Sequence, residues 1–154
     1  MAMKTLIAGA AFAGMLIASV AAAQTAPFTV TKCDATAPVL GTIQLPQSVL
    51  ADGKPLAAGS YQVRLTPDHP TPAVGQSAGA ECWVEFVQNG TVAGREVATV
   101  LSGGETAAVA KGPGPKPDGS RVDVLKGGEY VRAWLNSAGV NYLVNMPLAR
   151  EGRP

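Results

Sequence analysis

The side chains in this sequence that could carry chemistry fall into three groups. Cys33 and Cys82 are the two cysteines. His69, the single histidine, stands between Asp68 and Pro70. Glu81 and Glu85 flank Trp83 in the run Glu-Cys-Trp-Val-Glu-Phe-Val-Gln. Two thiols roughly fifty residues apart match neither a Cys-x-x-Cys redox pair nor a zinc site. In an oxidising compartment they suggest one disulfide, with two buried free thiols as the other reading. Closing a loop of that length stabilises a fold by about 4 kcal/mol in the chain-entropy model.

The two carboxylates have a second possible use. In a strand, alternation puts Glu81, Trp83 and Glu85 on one side, and paired acids beside an aromatic ring could bind or hydrolyse a glycan. The plainer reading is a wet sheet face with charged residues guarding a hydrophobic strand. Tyr130, Arg132 and Trp134 form a second aromatic and cationic set on the outer side of another strand. If Trp83 and Trp134 share a surface, the two sets together could make a ligand or partner patch. His69 would be the base of any dyad, but nothing resembling Gly-x-Ser-x-Gly surrounds Ser60, Ser77 or Ser102. Asp68-His69-Pro70 reads as a solvated turn. Gly112-Pro113-Gly114-Pro115 lacks the strand, helix and lysine of a phosphate cradle and reads as a stiff exposed loop. No catalytic residue, metal ligand or cofactor motif is assigned.

Compartment is legible at the start of the chain. Lys4 precedes an apolar run from Leu6 to Val20, and Ala21-Ala22-Ala23 offers a small-x-small cleavage site. This is the layout of a secretory signal peptide spanning residues 1–23. A retained anchor is the rival, but the run is short for a bilayer span of about 20 residues and no basic cluster follows it. The cleavage point carries Gln24 rather than a cysteine, which argues against a lipid anchor. The mature protein is therefore expected to be periplasmic or secreted. With Lys4 removed, the 12 basic residues fall by one and balance the 11 acidic ones. No basic stripe is visible, so a nucleic-acid partner is not expected.

What positions these residues is a series of short strands. After the leader no convincing amphipathic helix appears, and glycine or proline punctuates β-rich runs every 8–12 residues or so. Expected strands cover Phe28–Lys32, Pro38–Leu45, Ser60–Thr66, Glu105–Lys111, Arg121–Lys126, Tyr130–Asn136 and Val140–Leu148. Around them, Glu81–Leu101 reads as a long hairpin turning at Asn89-Gly90, a pair that tolerates the positive φ of a type I′ turn. Ala51-Asp52-Gly53-Lys54-Pro55 is turn chemistry. Alternation puts Tyr61, Val63 and Leu65 on an inner face, with Cys82, Val84 and Phe86, and predicts a bulge near Gly94. The expected architecture is all-β: one antiparallel β-sandwich of eight or nine strands over residues 24–148, or else a small closed barrel. Residues 149–154 read as a loose tail.

The segments Leu-Ala-Ala-Gly-Ser-Tyr-Gln-Val-Arg-Leu at 56–65 and Val-Glu-Phe-Val-Gln-Asn-Gly at 84–90 resemble those of small exported bacterial β-proteins of uncharacterised function. The Gly-x-Tyr-x-Val element also resembles transthyretin-like and carboxypeptidase-regulatory-like sandwiches. The resemblance spans about a third of the mature chain. It implies a β-sandwich and brings no catalytic residue with it. The function expected is a non-catalytic exported module that binds a protein, a glycan or a cell-surface component. Two alternatives stand beside it: an assembly subunit that pairs through an edge strand, and a glycan hydrolase using Glu81 and Glu85.

Overall fold

The structure, a computed structural model, describes residue 33 and residues 38–75, 79–102, 104–109 and 112–150. The expected signal segment at 1–23 and the expected strand at Phe28–Lys32 lie outside these residues. Nine strands and one short helix are present among them: β1 (Val39–Leu45), β2 (Val49–Ala51), β3 (Lys54–Leu56), β4 (Gly59–Leu65), β5 (Glu81–Gln88), β6 (Thr91–Leu101), α1 (Thr106–Val109), β7 (Ser120–Val124), β8 (Tyr130–Ser137) and β9 (Val140–Pro147). Seven of the strands form one sheet in the order β1-β4-β5-β6-β9-β8-β7, and β2 and β3 form a separate hairpin. The fold is all-β. Its main sheet curls until β1 approaches β7 and β8, which makes it a nearly closed barrel rather than two separate layers.

Local chemistry explains the turns. Asn89 and Gly90 both have positive φ, 51° and 77°, as a type I′ turn requires, and they close the β5–β6 hairpin. Phe86 then pairs with Gly94 while Val87 pairs with Val92, so Ala93 is the extra residue of a bulge beside Gly94.

Alternation sets the lining. Tyr61, Val63, Leu65, Cys82, Val84 and Phe86 are all buried, as are Val131, Ala133, Leu135, Val144 and Met146 on the far wall. The Tyr61 ring meets Phe86 edge-on at 6.3 Å between centroids. Its hydroxyl donates to the Ala57 carbonyl at 2.9 Å, so a buried polar group is satisfied. Burial also pushes the Tyr61 phenol above its ordinary pKa. The β2–β3 hairpin sits where β6 and β9 diverge, adding Val49, Ala51 and Leu56 to the core.

Three expectations are corrected. Residues 105–111, expected as a strand, contain α1. Ser102 and Glu105 have the Ser-x-x-Glu spacing of a capping box, and Glu105 Oε2 accepts from the Ser102 N–H at 2.9 Å and from its hydroxyl at 2.8 Å. That local cap, with alanines following, outweighs the weak β signal. Within Ala51–Pro55 the turn is confined to Asp52-Gly53, and Ala51, Lys54 and Pro55 belong to two three-residue strands too short to show a period. The first two residues of the expected loose tail at 149–154 are fastened: Ala149 N–H donates to the Ser48 carbonyl and Arg150 pairs with Glu129, while residues 151–154 lie outside the described residues.

Candidate functional site

Each neighbouring pair in the seven-stranded sheet is antiparallel. Strand direction therefore alternates along the order, and with an odd number of strands the two edges, β1 and β7, run parallel. No β-ladder joins them among the described residues. Instead Ser120, at the head of β7, donates its hydroxyl to the Thr42 carbonyl of β1 at 2.6 Å. Beside that bond lies an open cleft of about 410 Å³ lined by Thr42, Gln44, Ser60, Ser120 and Arg121.

The backbone polarity of this seam can be assigned. In a strand, a residue's N–H and C=O point to the same side. The Thr42 carbonyl points into the seam, so the amides of Thr42 and Gln44 face it, while Ile43 and Leu45 face β4. On β7, Gly119 and Leu125 bond to β8 through Asn136 and Tyr130, so Ser120, Val122 and Val124 face the seam. Two parallel rows of backbone donors and acceptors thus border one slot.

The sites expected from sequence are distributed differently. Glu81, Trp83 and Glu85 do lie on the outer face of β5, as their register with Thr99, Val97 and Arg95 shows. Glu85 is ion-paired with Arg64 of β4. The Arg95 guanidinium lies 4.4 Å above the centroid of the half-buried Trp83 ring and also holds Asp52 at 3.1 Å. The two carboxylates are four residues apart on one strand, roughly 13 Å between Cα atoms. Neither lines the seam cleft or the smaller one of about 220 Å³ beside Asp52 and Arg95. A convex sheet face with one acid already paired gives no support to a hydrolase.

Trp134 corrects a further expectation. It is on the outer side of β8, yet it is fully buried, packed with Leu101 and Leu143 in a second small core outside the barrel. The 112–119 loop roofs it. Gly114 lies so close that a Cβ there would fall 2.6 Å from Trp134 Cζ2. Arg121 fastens the roof: it donates to the Pro113 carbonyl at 2.7 Å, and its guanidinium carbon stands 5.0 Å from the ring centroid. Inside, the indole N–H donates to Asn141 Oδ1 at 2.9 Å. The loop read as stiff and exposed is a cover. Tyr130 remains exposed, and Arg132 donates to Asn145 Oδ1 at 2.9 Å. Trp83 and Trp134 share the outer face, three strand steps or about 14 Å apart along the sheet, but with Trp134 covered they do not form one open patch.

Cys33 and Cys82 are joined, with Cα atoms 5.7 Å apart. The Asp68-His69 turn, read as merely solvated, comes to this bridge. His69 Nδ1 is 3.2 Å from Cys33 Sγ, and the Cys33 N–H donates to Nε2 at 3.4 Å. No spacing in the sequence signals that approach, because it depends on the Asp68-His69 segment folding back against β5. There, Trp83 N–H donates to the Asp68 carbonyl at 3.2 Å.

Comparisons of the chain with protein-family models, with curated proteins and with solved structures give no match.

Proposed function

We propose that this protein is an exported, non-catalytic binding module that takes an extended segment of a partner protein into the β1–β7 seam. The observation that supports it is the parity of the sheet. Seven antiparallel strands leave two parallel edges, and one added strand, antiparallel to both and displacing the Ser120–Thr42 bond, completes an eight-stranded barrel with every neighbour antiparallel. Strand addition of this kind draws affinity from main-chain hydrogen bonds and specificity from alternate side chains. The hydroxyls of Ser60 and Ser120, with the Gln44 amide, give the slot a polar rim suited to a peptide backbone. Export is supported by the disulfide, which belongs to an oxidising compartment. Among the described residues no helix is long and apolar enough to cross a membrane.

The test uses peptides selected from a displayed library on the wild-type protein, followed by amide exchange. Bound peptide is expected to slow exchange at Thr42, Gln44, Val122 and Val124. Gln44→Pro removes a seam-facing N–H while sparing the β1–β4 ladder, a position where an edge strand tolerates proline, and it is expected to abolish binding with little loss of stability. Peptides that bind Gln44→Pro as well as wild type, or that protect amides around Trp83 instead, would move the site elsewhere. A pure dimer in light scattering, lost in Gln44→Pro, would assign the slot to a second copy of this chain.

A further inference from the structure

We infer that reduction of the Cys33–Cys82 bridge uncovers a Cys₂His site for a soft metal ion, Cu(I), with His69 as the third ligand. One ligand atom from each of Cys33, His69 and Cys82 lies within 4.8 Å of the other two. Cys82 and His69 are held by β5 and by the connection that precedes it, and Cys33 is bonded to Cys82. Cys82 is fixed in the inner face of β5 and is fully buried. Cys33 is joined to it and packed at the edge of the core. His69 is carried by the β4–β5 connection, whose backbone is bonded to Trp83. Once the bridge is reduced, core packing of Cys33 is what keeps its sulfur beside Cys82 and His69.

The donor set narrows the metal. Two thiolates and an imidazole are soft to borderline ligands, which favour Cu(I) or Zn²⁺ over hard cations. Structural zinc completes a tetrahedron with four protein ligands, and zinc on a Cys₂His set needs a water as its fourth ligand; the cluster among the described residues offers three protein donors. Three donors match the low coordination numbers of Cu(I). Access is available from one side, because His69 is exposed while Cys82 is closed off behind it.

The steps balance. An external dithiol delivers two electrons and two protons to the S–S bond, giving Cys33–SH and Cys82–SH and leaving the reductant as its own disulfide. Cu(I) then binds both sulfurs as the two thiol protons pass to solvent. Ligation through His69 Nδ1 places the ring proton on Nε2 and gives up the long bond from the Cys33 N–H. With the bridge closed, neither sulfur is available, so binding is gated by the redox state.

The experiment is an anaerobic titration of the reduced protein with Cu(I) against bicinchoninate, with far-UV circular dichroism recorded before metal is added. Reduced wild type is expected to keep its β signal and withdraw one equivalent of copper. The oxidised protein should withdraw none. His69→Ala in the reduced state should bind at least about tenfold more weakly, by the scale of losses at metal sites, and Cys33→Ser with Cys82→Ser should not bind. The inference is overturned if His69→Ala matches wild type, if the reduced protein takes up no copper, or if reduction unfolds the chain before metal is added. A preference for Zn²⁺ over Cu(I) in the same competition would overturn the choice of metal.

Discussion

Ser120 and Thr42 are 78 residues apart in sequence, yet the Ser120 hydroxyl lies 2.6 Å from the Thr42 carbonyl, joining two edge strands that share no ladder. The bond crosses the seam at the head of β7, beside the open cleft.

Ser120→Ala should remove that link while leaving both strands paired on their other sides. The expected loss is about 0.5–1.5 kcal/mol, the usual net worth of one hydrogen bond, read by urea denaturation. Faster exchange at the Thr42 and Val122 amides should accompany it. Unchanged stability together with unchanged exchange would mean that the hydroxyl does not hold the edges together.

The roof over Trp134 should respond to one added side chain. Gly114→Val places atoms inside the space of the indole ring and should lift the 112–119 loop. A red shift of Trp134 emission is expected, read in a Trp83→Phe background, with a stability loss of about 1–3 kcal/mol typical of overpacking. Emission that stays blue would mean that the ring is shielded by something other than this loop.

Tyr61→Ala should cost about 3–5 kcal/mol, by analogy with buried Phe truncations. The ring is enclosed against Phe86 and its hydroxyl is bonded to Ala57. Thermal and urea melts measure this directly. A loss below about 1 kcal/mol would contradict the inner-face assignment on β4.

Glu105 carries a pH dependence. Hydrogen bonds from the Ser102 N–H and hydroxyl hold its carboxyl below the ordinary value of 4.5. A folded pKa below the unfolded one contributes stability that is present above 4.5 and fades as pH falls through the folded value. A carboxyl NMR titration should therefore give a midpoint under 4.5, shifting part of the way back in Ser102→Ala. A midpoint at or above that value would show that the α1 cap does not form in solution.

Much of the fold was legible residue by residue. Period-two alternation was enough to put Tyr61, Val63 and Leu65 inside, and Cys82, Val84 and Phe86 with them, because a half-buried strand writes its burial directly into every second residue. Asn89-Gly90 marked its turn because few residue pairs tolerate positive φ twice. Cys33 and Cys82 pointed to a bridge through compartment chemistry alone, and the structure contains it. The short elements escaped notice: β2 and β3 are three residues each, and α1 is four, too few to display a period.

The rest depended on long-range arrangement. Alternation can say that Trp134 points away from the barrel, but not that residues 112–119, well outside β8, fold over it. It can count strands, but edge polarity depends on their order, and that order makes the borders of the seam parallel. Nor can it bring His69 to Cys33, 36 residues away, since proximity between distant segments is a property of chain topology. A residue's facing is a local matter of backbone geometry. Its covering and its neighbours are set by how the whole sheet closes.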